Sequence, residues 1–241
     1  MPTKFLRLTT LYLCNNHLTS LNGLEKLTFL QSLNVSDNYL QTVSGLQHNH
    51  CLQRLNVDYQ ITEEYHALNF DPRTIEGIRM SLKELSCRSN CIKDLDELVG
   101  LQKLEVLDLK YNEIDNLDKV LVVLETFPYL FHLNLKGNQV QEANDYKKRI
   151  IGSQSINIRL LDDVTIPGRL RQHYIRINKN IRANPAVESV KEEFGSLPRG
   201  LREEFIGGFF ERIAPQCKEN CEERRGFKFK HKIRLNTKNK H

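Results

Sequence analysis

The chain has 241 residues, 39% of them hydrophobic, with no tryptophan, 12 glycines, 7 prolines and a formal net charge of +5. That composition excludes collagen-like and disordered classes, and no run approaches the roughly 18 apolar residues of a membrane span. The opening Met1-Pro2-Thr3-Lys4 lacks the charged-then-apolar layout of a secretory signal, so a reducing, cytoplasmic setting with free thiols is expected for the six cysteines.

Charge divides the chain. Residues 167–241 carry 18 Lys and Arg against 9 Asp and Glu, which gives +9; residues 1–166 carry 17 against 21, which gives −4. An acidic front and a basic back predict two functional parts.

From the first residues onward one template, LxxLxLxxN, recurs six times. Its copies are Leu8, Leu11, Leu13, Asn16; Leu30, Leu33, Val35, Asn38; Leu52, Leu55, Val57, Gln60; Leu82, Leu85, Cys87, Asn90; Leu104, Leu107, Leu109, Asn112; and Leu130, Leu133, Leu135, Asn138. The first leucines are spaced by 22, 22, 30, 22 and 26, a base of 22 with insertions of 8 and 4. Alternating apolar residues turn one face of a short strand inward. The Asn amide is placed to satisfy backbone groups that the following turn leaves unpaired. Apolar residues at threes, as in Leu18, Leu21, Leu24 and Leu27, suit a helical or 3₁₀ return. One such unit cannot cover its own apolar face, whereas stacked units share a continuous core. The expectation is an α/β leucine-rich-repeat solenoid with a parallel concave sheet. Six repeats would fill residues 1–140, a C-terminal cap 141–166, a helical tail 167–223 and a basic tail 224–241.

The cap stretch, with Tyr146, Ile150, Ile151, Leu160, Leu161, Asp162, Asp163 and Ile166, resembles the cap of a known family. This is the small 22-residue-repeat family that includes the leucine-rich-repeat regulator of protein phosphatase 1, dynein light chain 1 and the spliceosomal A-prime protein. Its members usually carry Pro after the Asn and a Leu-Pro pair within the cap; here Gln139 and Gln154-Ser155 stand instead.

Outward strand positions should offer a polar face to a protein partner. The residues predicted to bind it are Tyr12, Asn34, Arg54, Asn56, Asp58, Tyr59, Arg88, Asp108, Lys110, Tyr111, His132 and Lys136. Among them Arg54, Arg88, Lys110 and Lys136 read as a basic track flanked by Tyr59 and Tyr111, with Tyr and Arg as the natural anchors. Solvated strand positions with no partner are the competing reading.

The insertion at 60–81 is predicted to make a short helical excursion after Thr62. Its string Phe70-Asp71-Pro72-Arg73-Thr74 resembles the testis-type, phosphatase-1-regulatory members of the same family. That resemblance implies Phe70, Asp71 and Arg73 as insertion contacts and a cytoskeletal role at cilium, axoneme or centrosome. Protein phosphatase 1, tubulin or axonemal proteins are the implied partners. A loop that merely lengthens one repeat is the alternative.

In the tail, Leu170, Tyr174, Ile177 and Ile181 recur at helical spacing among Arg169, Arg171, Arg176, Lys179 and Arg182, with no acid from Val164 to Val187. This basic amphipathic helix is compatible with packing on the cap, with binding calmodulin or with lying on an acidic surface. Two further helices are signalled by Asn184-Pro185 and by Ser196 with Pro198. The final basic run, Arg224, Arg225, Lys228, Lys230, Lys232 and Arg234 with Lys238 and Lys240, reads as a solvated tail or an acidic-partner site. Its Arg225-Gly226-Phe227-Lys228-Phe229 loosely resembles a phosphatase-docking motif, with Phe227 replacing Val or Ile.

No phosphate-cradling glycine loop or nucleophile elbow is present, and the His48, His50, Cys51 cluster fits no zinc spacing. The expectation is therefore a non-enzymatic scaffold with no cofactor, metal, membrane or small-molecule substrate, and with nucleic acid disfavoured as a partner. A nuclear RNA-associated scaffold is the rival.

Overall fold

A computed structural model describes residues 7–62 and 66–183, with 180–183 as backbone only. The helices expected over 184–223 and the basic residues Arg224, Arg225, Lys228, Lys230, Lys232 and Arg234 lie outside the described residues.

Each template copy forms a three-residue strand. These are β1 (Thr10–Tyr12), β2 (Ser32–Asn34), β4 (Arg54–Asn56), β6 (Glu84–Ser86), β7 (Val106–Asp108) and β8 (His132–Asn134). They pair in parallel in that order, and β9 (Leu160–Leu161) and β10 (Val164–Thr165) of the cap extend the same sheet, β10 antiparallel to β9. The register places Leu11, Leu33, Leu55, Leu85, Leu107, Leu133 and Leu161 in one column. From Leu33 onward that column is buried, as is the next one, Val35, Val57, Cys87, Leu109 and Leu135. Fully burying one such side chain contributes about 1.5–3 kcal/mol. Leu11 and Leu13 remain half-exposed.

The strands are too short to satisfy their own exits, and buried amides do it for them. Asn112 Nδ2 donates to the carbonyls of Cys87 and Leu109, both at 2.9 Å. Its Oδ1 accepts from the Asn90 and Ile92 amides at 2.9 and 3.1 Å. Asn38 and Asn138 repeat the pattern, each bonding to its own and the preceding repeat. Gln60 does the same with one extra methylene, its Nε2 reaching Val35 O at 2.8 Å and its Oε1 accepting from Leu40 N at 3.1 Å. The residue before each amide is left-handed: Asn15, Asp37, Tyr59, Ser89, Tyr111 and Gly137.

Insertions fall on the convex side. The return segments are 3₁₀ turns at Leu24–Lys26 and Asp96–Leu98, but the 26-residue repeat has room for α2 (Leu117–Leu124), capped by Asn116. In the 30-residue repeat, β5 (Asn69–Phe70) pairs with β3 (Thr42–Val43) of the preceding repeat, and α1 (Pro72–Ile78) follows. Of the excursion expected after Thr62, residues 63–65 are not described; the helix starts ten residues later. Asp71 is its N-cap and Pro72 its first residue, a pairing that suits a helix start. α1 crosses close to the second repeat: a Cβ on Gly77 would lie 2.3 Å from Gln47 O.

The cap closes the stack through α3 (Tyr146–Ile151), β9 and β10, and α4 (Gly168–Ala183) lies on it. Leu170 is buried, and Arg171 donates to Ile156 O at 3.0 Å and to Ile158 O. A Cβ on Gly152 would meet Asn178 Nδ2 at 2.4 Å and Tyr174 Cβ at 3.0 Å. Of the three placements open to this helix, packing on the cap is the one adopted by residues 168–179.

Two stability measurements follow from this architecture. Asn112→Ala strands two amides and two carbonyls and should cost about 2–4 kcal/mol in urea unfolding. The same change at exposed Asn16 should cost under about 0.5 kcal/mol; equal costs would refute a buried ladder. Gly77→Ala should lower stability by about 1–3 kcal/mol, because backbone rather than a flexible side chain stands in the way.

Candidate binding face

The concave face has three columns of side chains. The first strand position carries Thr10, Ser32, Arg54, Glu84, Val106, His132 and Leu160; the third carries Tyr12, Asn34, Asn56, Ser86, Asp108 and Asn134. The residues two further on, Ser36, Asp58, Arg88, Lys110 and Lys136, stand at the strand exits.

The middle column is small and amide-rich for a local reason. Asn34, Asn56, Asp108 and Asn134 each accept, through Oδ1, the backbone N–H two residues ahead, at 2.9–3.2 Å. This Asx-turn geometry holds the strand exit. It also fixes which way the amides face. With Oδ1 occupied, the Nδ2 groups of Asn34 and Asn56 have no partner among the described residues.

The exit column is a chain of alternating charges. Ser86 Oγ and Arg88 N donate to Asp58 Oδ1 at 2.7 and 2.8 Å. The Arg88 guanidinium bonds Asp108 Oδ2 at 2.9 and 2.7 Å and lies 3.8 Å from Asp58. Lys110 Nζ is 3.7 Å from Asp108 and 3.2 Å from Asp163; Lys136 Nζ is 2.8 Å from Asp163. Asn134 Nδ2 donates to the other Asp163 oxygen at 2.6 Å. Three acids thus answer three bases.

The basic track expected from sequence is therefore corrected in two ways. Arg88, Lys110 and Lys136 are neutralised within the fold. Arg54 belongs to another column, in register with Ser32 and Glu84 rather than with Arg88, and makes no ion pair among the described residues. Tyr59 and Tyr111 are half-buried left-handed turn residues, and the Tyr111 ring lies against Gly137, where a Cβ would come within 2.5 Å of it. His132 is half-buried between Val106 and Leu160.

Burial raises the pKa of Asp58, exceeding the opposing pull of the Arg88 N–H and Ser86. Burial also works against the Arg88 charge, but Asp108 and, less strongly, Asp58 outweigh it and raise that pKa. At Asp163 burial acts upward, yet hydrogen bonds from Lys136, Asn134 and Lys110 prevail and hold the carboxyl at about 2. Asp162, its left-handed neighbour, is a cap element: it accepts from Leu135 N, Gln141 and Tyr146, and burial raises its pKa.

In the insertion, Phe70 is 4% exposed and sits in the core, and Asp71 is spent on capping α1. Of the three insertion residues expected to touch a partner, only Arg73 is exposed. The string serves folding: Phe70, Thr74, Ile75 and Ile78 are buried, and Thr74 Oγ1 accepts from Leu46 N at 3.4 Å.

What remains available on the concave face lies in its N-terminal half: Tyr12, 69% exposed, with Asn34, Arg54 and Asn56. Sequence reasoning missed Asp163 as the end of the charge chain, since it lies beyond the last template copy. It also missed Phe29, Tyr129 and Phe131, large exposed side chains just before or within the strand entries; Lys103 Nζ stands 4.6 Å over the Tyr129 ring. Nothing in the template distinguishes these rim positions. Among the described residues no group of three or more His, Cys, Asp or Glu could hold a metal ion, and no helix is long and apolar enough to cross a membrane.

Residues 6–48 and 81–121 match the family model described as Leucine Rich repeats (2 copies). Similar solved structures include a chain of the Drosophila melanogaster SNF/U2A' complex, 19% identical, covering 72% of this chain and 86% of that one, with a TM-score of 0.43. Internalin InlF of Listeria monocytogenes is 16% identical, covering 66% and 48%, at 0.42. Human 5T4, trophoblast glycoprotein, is 16% identical, covering 73% and 86%, at 0.38.

Asp163→Asn tests the charge chain. A carboxyl held at about 2 in the fold and near 3.9 when unfolded stabilises the fold above roughly pH 4, and the benefit is lost as pH falls toward 2. Its side chain is 44% exposed, so screening trims the effect to about 1 kcal/mol. Asp58 and Asp162, with raised values, act in the opposite sense, so the quantity to measure is the wild-type minus variant difference. It should be present at pH 7 and shrink between pH 4 and 2; a difference that grows on acidification would refute the pairing.

Proposed function

We propose that this chain is a non-catalytic adaptor that holds an extended protein segment against the N-terminal half of its concave sheet. The observation that carries the reading is the division of that sheet. Toward the C-terminus the strand-exit charges Asp58, Arg88, Asp108, Lys110, Lys136 and Asp163 answer one another inside the fold; toward the N-terminus the Asn34 and Asn56 amide donors and Arg54 have no partner among the described residues and stand beside exposed Tyr12. Adjacent parallel strands repeat about every 4.8 Å, so the two amides form a ladder that reads carbonyl or carboxylate oxygens. Tyr and Arg at its flanks are the residue types that most often dominate interface energies.

The adaptor serves the microtubule cytoskeleton, at cilium, axoneme or centrosome, and steers protein phosphatase 1. This finer assignment is supported by the resemblance of the Phe70-Asp71-Pro72-Arg73-Thr74 string to phosphatase-1-regulatory relatives. It does not depend on that string touching a partner.

The full-length tagged protein should co-localise with cilia or centrosomes and retain purified tubulin or phosphatase 1 catalytic subunit. Tyr12→Ala with Arg54→Ala should weaken retention about 30-fold, equivalent to about 2 kcal/mol, whereas Lys136→Ala should leave it within about three-fold. Nuclear localisation with ribonucleoprotein partners would transfer the assignment to an RNA-associated scaffold. Binding indifferent to Tyr12 and Arg54 would remove the concave site itself.

A further inference from the structure

Among the described residues some cations are paired within the fold and others, scattered singly over the surface or gathered on α4, are not. Arg79, Lys83, Arg88, Lys110, Lys136 and Arg149 all have carboxylate partners within 4 Å. Arg169, Arg176 and Lys179 on α4, and Arg159 beside its foot, are exposed and have none among the described residues.

Helical geometry explains why the α4 cations gather on one face. At 100° per residue, positions 169, 172, 176 and 179 fall within about 80° of one another. They are the exposed positions of this stretch, and Gln172 is the one uncharged member. The opposite face, with Leu170, Tyr174 and Asn178, is the one laid against the cap at Gly152. No acid lies between Val164 and Val187 to answer the stripe. Nearby carboxylates are already engaged: Asp162 by Leu135 N, Gln141 and Tyr146, Asp163 by the lysines, and Asp118 and Asp145 by Arg149. Arg171, at the same foot, is disfavoured as a cation first by burial and then by Arg159, a sign that like charge accumulates here.

We infer that the outer face of α4 is a second binding surface, on which Arg169, Arg176 and Lys179 hold a carboxylate-rich, extended segment of a partner protein. Arg169 and Lys179 are ten residues apart, about 15 Å along the axis. Alternate side chains of an extended peptide recur every ~6.6 Å, so three carboxylates on one side span about 13 Å and match the stripe. Two planar guanidiniums on the helix suit bidentate carboxylate contacts. A single-stranded nucleic acid is less well served, because the stripe has no exposed aromatic on which bases could stack. The surface lies on a different element from the concave donors and shares no residue with them, so it does not rest on the reading of that groove.

The test uses the full chain and a fluorescein-labelled oligo-glutamate peptide of about eight residues, followed by anisotropy at low and at physiological salt. Arg169→Gln, Arg176→Gln and Lys179→Gln combined should weaken binding at least ten-fold while helicity and melting are kept, since Gln is a good helix former on an exposed face. Neutralising Lys228, Lys230 and Lys232 should leave the stripe-dependent part intact. Unchanged affinity in the triple variant overturns the inference. So does loss of all binding in the Lys228, Lys230, Lys232 variant, or tighter, stripe-dependent binding of a DNA duplex of equal charge.

Discussion

Everything in this fold depends on a column of buried amides. A parallel sheet made of three-residue strands leaves N–H and C=O groups unpaired where each strand ends, and these groups are too deep for water to reach. Asn38, Gln60, Asn90, Asn112 and Asn138 take them up, each joining two successive repeats with both its donor and its acceptor side. The leucine column supplies the greater part of the burial, but the amides decide the pitch of the stack. A leucine stack alone would tolerate sliding; a doubly bonded amide does not. Gln60 shows how far the device stretches, since a side chain longer by one methylene still reaches the same groups.

That constraint also determines where the chain can vary. Additional residues cannot enter between the first leucine and the amide without breaking the ladder, so the insertions of 8 and 4 residues are pushed to the convex side. There they become β5 with α1, and α2. The string from Phe70 to Thr74 starts α1 and fills the core, and further along α1 Gly77 sits against the backbone of Gln47.

On the concave side the same economy leaves little for a partner. Most polar side chains there hold strand exits or one another. The alternating chain from Asp58 through Arg88, Asp108, Lys110 and Asp163 to Lys136 rigidifies the C-terminal half and cancels its charge. A row of cations without carboxylate partners among the described residues stands on the outer face of α4, whose inner face is occupied by the cap. The molecule therefore separates a neutral, donor-bearing groove from a cationic helix face.

By itself the sequence determined the period, the inward leucines, the amide column and the polar character of the concave face, because these depend on residue type at fixed local spacing. The start of α1 was also written in it, as Asp71-Pro72, although the acids after Thr62 suggested an earlier start. Only the tertiary structure decided which polar residues are spent and which are free. Arg88 and Arg54 look alike in the chain, but one is paired across to Asp108 while the other stands in a different column opposite Glu84. Asp163 reads as a turn residue until β9 brings it beside Lys110 and Lys136, 53 and 27 positions away in the chain. Phe70 reads as a surface motif, but in β5, paired with β3, it is buried in the core. In each case the deciding quantity is a distance between residues on different repeats or in the cap, and residue spacing within one repeat carries no record of it.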